Sequence, residues 1–249
     1  MRTDPSILQT EGETSMARPK ELENSTIEPV VERRAFLGGA ATLAGTSLLG
    51  LGLPAAAAAA EAGQDRMPPI PADKMTDAQK KAAEELISGP RGTLVGPFIP
   101  LLRSPEFMSR LQKTGAYLRY DTKLGANISE FIILLTARHW TQQFEWDAHE
   151  SIAKQAGVKP EIIAAIAEGR RPAGMSTDEE IIHDFVTELL HHQSVSDATY
   201  ARTVNRFSEK GVIDITGLCG YYSLLGMIMN VSRTPLPPGK TPPLAEYPH

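Results

Sequence analysis

Apolar residues recur along this chain at helical spacing, and no stretch alternates in the way a half-buried strand requires. The densest region is residues 129–156, SEFIILLTARHWTQQFEWDAHESIAKQA. Its first half, with Phe131, Ile132, Ile133, Leu134 and Leu135 in succession, is apolar nearly all round and predicts a buried helix. Its second half is amphipathic: Glu145 and His149 lie four apart on one face, which Ile152, Ala153 and Ala156 continue. Thr141, ahead of Phe144 and Glu145, suits a helix N-cap, so we expect a break near Trp140–Thr141 and a second helix folded back on the first. Without such a break, Glu130 and His149 would stand roughly 28 Å apart at 1.5 Å per residue.

The same patterning places the other elements. Thr76 with Gln79 makes a capping box before AQKKAAEELI, which stops at Gly89–Pro90. Residues 89–102, GPRGTLVGPFIPLL, hold too much Gly and Pro for a helix and are too apolar for a free loop; they read as an ordered segment laid over the core or into an interface. Ser104–Pro105–Glu106 opens a helix expected to run through Leu124, with Phe107, Leu111, Tyr117 and Leu118 inward. Downstream, Lys159–Pro160–Glu161 starts a short helix closed by Gly169, and Ser176 with Glu179 caps another. Ser196 caps a helix ending at Gly211, and residues 212–231 form a last one, apolar on most sides. Asp214 and three glycines argue against a membrane span there. The expected class is all-α, with six to eight helices.

Composition changes the picture at the two ends. Arg33–Arg34 precede an apolar run from Ala35 to Leu53, then Pro54 and six alanines, Ala55 to Ala60. Residues 1–60 therefore resemble a twin-arginine export signal, which would hand the folded protein to the twin-arginine machinery and deliver it to the periplasm or outside the cell. Residues 61–75 read as a proline-rich linker, 76–234 as the helical domain and 235–249 as a proline-rich tail. The single cysteine, Cys219, forms no internal disulfide. With 25 basic against 30 acidic residues and no basic run, the chain offers no electrostatic footprint for nucleic acid.

The candidate chemistry lies in the central stretch. A carboxylate and an imidazole beside an apolar stripe sit where solvent is scarce and proton affinities move. The bland alternatives are concrete. Glu145 and His149 could be an ordinary pair on a solvated face, Glu130 and Arg138 a structural ion pair at the bend, and Trp140 and Trp146 core residues. His191 and His192 suit the end of a helix dipole, and His183 reads as surface. Glu130, Glu145 and His149 match no specific zinc or iron spacing, so neither a metal nor another cofactor is expected.

The pattern of an acid at Glu130, an apolar helix, Arg138–His139–Trp140, Phe144–Glu145–Trp146 and then His149 resembles the carboxymuconolactone decarboxylase family, over about residues 100–232. That family is an all-α fold that includes the alkylhydroperoxidase AhpD. The resemblance implies an obligate homotrimer or homohexamer with its site near a subunit contact. It also implies a choice between two activities. The peroxidase branch carries a Cys-x-x-Cys pair, and those places are Gln142 and Glu145 here, so its thiol chemistry has no residues to run on. The decarboxylase branch carries a glutamate four before its histidine, as Glu145 and His149 do. By that resemblance His149, Glu145 and Glu130 are the catalytic set, with Arg138, His139 and Trp146 binding a small acidic lactone or related carboxylate. A non-catalytic binding or assembly protein of the same fold is the alternative.

Overall fold

The computed structural model describes residues 64–246; the expected export signal at 1–60 lies outside the described residues. Eight α-helices and no strand are present among them, which establishes the all-α class. They are α1 (Asp77–Ile87), α2 (Phe98–Leu101), α3 (Pro105–Ala116), α4 (Ala126–His139), α5 (Gln143–Gln155), α6 (Pro160–Ala167), α7 (Thr177–His192) and α8 (Asp197–Ser232). Helix α4 is the centre: Phe131, Ile132, Ile133 and Leu134 are fully buried, and it packs against α5, α7 and α8. Four consecutive apolar residues point to all sides of a helix, so this one has to be surrounded.

The junction after α4 sets the site. The chain breaks where expected, but Thr141 does not cap; it takes a left-handed φ of 45°. Gln142 caps α5 instead, its side-chain oxygen accepting from the backbone N–H groups of Phe144 (2.6 Å) and Glu145 (3.2 Å). A β-branched residue disfavours that backbone region, so the turn needs outside support. Asn230 of α8 supplies it, accepting from the Gln142 amide at 3.0 Å and donating to the Trp140 carbonyl at 3.0 Å.

Elsewhere the capping boxes at Thr76 and Ser176 form as the sequence predicts. Two boundaries differ. Helix α3 gives way at Tyr117 to a π-helical turn, Tyr117–Asp121, and buries Met108, Leu111, Gln112 and Gly115. Phe107 and Tyr117, expected inward, are exposed. The inward stripe is chosen by Gly115, against which the Tyr221 ring lies so closely that a Cβ there would come within 2.2 Å of it. In α8 the helical path breaks at Ser208 (φ 66°, ψ 169°), not at Gly211. The Ser208 hydroxyl accepts from Gly211 N–H, so it acts as the cap that restarts the helix.

The long apolar α8 meets the length and composition needed to cross a membrane, yet Ile215, Leu218, Leu225 and Met229 are buried in this chain's own core. Residues 89–102 do lie over the core, with Phe98, Leu101 and Leu102 buried and one short helix among them. The segment expected as a linker is tied to the end of α8, Arg66 N–H donating to Ser232 O at 2.8 Å. The tail docks on α5 of the same chain: Leu244 is buried and exchanges two hydrogen bonds with the Gln143 side chain, at 2.8 and 2.9 Å.

Candidate active site

The α4–α5 bend brings together the three residues that the sequence separates. His149 Nδ1 lies 2.6 Å from Glu130 Oε2, and its Nε2 lies 3.4 Å from Glu145 Oε2. All three residues are only 4–5% exposed. A short contact from a buried ring nitrogen to a carboxylate fixes the ring and places N–H at Nδ1, leaving Nε2 for exchange with Glu145. Burial pushes the Glu145 carboxyl up from its ordinary value, against the pull of His149, Arg119 and Arg91, so it holds a proton more readily than a solvated carboxylate does.

Glu130 has a second partner that the sequence did not suggest. Arg119, on the π-helical turn, reaches its other oxygen at 3.5 Å. Arg91, from the Gly/Pro segment, donates to the Tyr221 hydroxyl at 2.9 Å and stacks over the Phe98 ring at 4.8 Å. Both arginines line a cleft of about 180 Å³ together with Phe144, Glu145, His149 and Tyr222. The cleft is thus half apolar wall and half proton-transfer and cationic groups, and two guanidinium forks suit a carboxylate ligand.

The three expected binding residues are not here. Arg138 donates from Nη1 to the carbonyl of Ala245 in the tail at 2.6 Å and, with His139, lines a separate hollow of about 240 Å³ that also holds His183 and His191. Eight residues along a helix amount to a rise of about 12 Å, so Arg138 stands two turns beyond Glu130 and reaches a different hollow. The structural ion pair at Glu130 is therefore made by Arg119. His139 meets His191 edge-on at 5.0 Å, and burial lowers its proton affinity. Trp146 is 2% exposed and belongs to the core. His183, expected on the surface, is largely buried, with Arg171 at 3.0 Å from its Nδ1.

Arg91, Arg119 and Tyr222 lie outside the reach of helical periodicity, in a Gly/Pro segment, a π turn and a helix that is apolar almost throughout. The only available signal was an arginine between two glycine-rich turns in an otherwise apolar segment. Cys219 is buried on α8, where the Thr136 hydroxyl approaches its sulfur at 3.7 Å and burial pushes the thiol up. Among the described residues no group of three or more His, Cys, Asp or Glu side chains is arranged to hold a metal ion.

No protein-family model and no curated protein matches the chain. Among solved structures, the fold is similar to an alkylhydroperoxidase AhpD core, an uncharacterized peroxidase-related protein from Ralstonia eutropha JMP134. The TM-score is 0.58 and the identity 17%, over 70% of this chain and 92% of that one. At such identity the likeness concerns architecture: the chain has an AhpD-like all-α fold.

Proposed function

We propose that this protein is an acid–base enzyme that decarboxylates a small carboxy-lactone or related carboxylate, in the manner of carboxymuconolactone decarboxylases. The observation that carries this reading is a histidine gripped between two buried glutamates at the edge of a cleft that also presents two arginines. Arg91 and Arg119 hold the substrate acid groups. As the carbon–carbon bond to the departing carboxyl breaks, its electron pair passes into the lactone as a dienolate, and CO₂ leaves. Glu145, its carboxyl raised by burial, passes a proton to His149 Nε2, which delivers it to the ring carbon, while Glu130 holds Nδ1–H and fixes the ring.

A peroxidase reading, suggested by the name of the similar structure, finds little support in these residues. The lone thiol is buried and held protonated, with no second cysteine to resolve a sulfenate. A non-catalytic role would fit a filled core around His149 better than a cleft. We further propose that the protein acts after twin-arginine export and assembles as a trimer or hexamer.

Turnover of carboxymuconolactone and related lactones by wild type, His149→Ala and Glu145→Gln tests the chemistry. Loss of a positioned acid is expected to lower kcat by about 10²–10⁴-fold. Full activity in both variants would end the proposal.

A further inference from the structure

Two adjacent tyrosines at the cleft differ in one respect. The Tyr221 hydroxyl accepts a hydrogen bond from Arg91. The Tyr222 hydroxyl, shut away from solvent on a residue only 3% exposed, has no partner among the described residues. Buried phenol groups nearly always find one, so an orphan of this kind needs a physical reason. The charged groups that act on this hydroxyl are Arg119, Glu145, Arg91 and Glu130, the same four that surround the proposed reaction centre. Its ring meets the His149 ring edge-on, with centroids 5.2 Å apart. The Arg91 Nε, also buried, lacks a partner as well, so two unsatisfied donors belong to one cleft.

We propose that Tyr222 is a catalytic residue of the decarboxylation, its hydroxyl donating a hydrogen bond to the lactone oxygen that turns negative as CO₂ departs. The inference rests on the decarboxylase reading above. Burial holds the phenol protonated far beyond neutral pH, so it contributes a hydrogen bond and not a proton. The carbon–carbon bond breaks, its electrons settle on the lactone oxygen under Tyr222, and they return to carbon when His149 delivers its proton. A donor aimed at charge that exists only midway through the reaction acts on kcat more than on KM.

Tyr222→Phe in the full chain tests this, with Tyr221→Phe beside it. Tyr222→Phe is expected to lower kcat by about 10²-fold, leave KM within about threefold, and keep or raise the Tm of the ligand-free protein, because it deletes an unsatisfied group. Tyr221→Phe is expected to lower Tm, because it strips Arg91 of its acceptor. The tyrosine assignment is overturned if Tyr222→Phe keeps kcat within about twofold of an active wild type, or if it lowers Tm as much as Tyr221→Phe does. A wild type inert toward every carboxy-lactone removes the decarboxylase reading and this inference together.

Discussion

Gly96 holds the outer wall of the cleft, and replacing it separates two energetic effects that usually arrive together. Its φ is 57°, and a Cβ at this position would lie 2.5 Å from Phe144 Cε1 and 3.0 Å from Cζ. Gly92, four residues earlier in the same segment, also has a positive φ, 72°, but a Cβ there meets nothing within 4 Å. Gly92→Ala therefore carries only the left-handed backbone penalty, about 1–2 kcal/mol. Gly96→Ala adds displacement of a packed aromatic ring, typically about 1–3 kcal/mol, for a total of about 2–5 kcal/mol. Urea unfolding of both variants at one protein concentration measures the difference. Because Phe144, Val95, Pro97 and Phe98 line the cleft, Gly96→Ala should also raise KM for any cleft substrate. Equal destabilisation of the two variants would refute the argument, since it would mean that Phe144 does not pack on this glycine.

Three further outcomes follow from single contacts. The buried Glu145 carboxyl is raised from its ordinary value of 4.5, so it favours folding while protonated and loses that contribution as pH rises through the folded value. Glu145→Gln mimics the protonated acid at every pH, so its Tm advantage over wild type should widen from acid toward neutral pH; a constant gap would count against the burial argument. Leu244→Ala should free the tail from Gln143 and α5, speeding tryptic cleavage after Lys240, and an unchanged digestion rate would show the docking to be negligible. Cys219, 1% exposed and raised by burial, should react with a thiol reagent only as fast as the protein opens, whereas prompt reaction in the native state would contradict its placement.

The convergence of Glu130, Glu145 and His149 was legible because it depends on local rules: an apolar helix, a break, and an i,i+4 pair. Even there the pattern misleads at the cap, since a threonine before an apolar residue looks like an N-cap, whereas the turn needs one left-handed residue and a glutamine able to reach two N–H groups. The resemblance points to Arg138 and His139, but the rise of α4 carries Arg138 two turns past Glu130, to the tail and a separate hollow. The cationic part of the cleft was not legible. Arg91 and Arg119 owe their positions to segments without a 3.6-residue period, and to contacts made far along the chain with Tyr221 and Glu130. Phe107 misled for a related reason: apolar spacing could not reveal that Gly115 makes room for an aromatic ring and so fixes which face of α3 turns inward.

The bend between α4 and α5 also bears on the order in which the site comes into being. Glu130 and His149 are nineteen residues apart, so only a short loop has to close before acid and imidazole touch. Contacts of such low sequence separation cost little loop-closure entropy. The phenol at 222 and the Asn230 brace on the turn arrive only when the final helix docks. Without that helix the pair would lose the side chains that cover it there, so its dryness depends on a segment far along the chain from the bend itself.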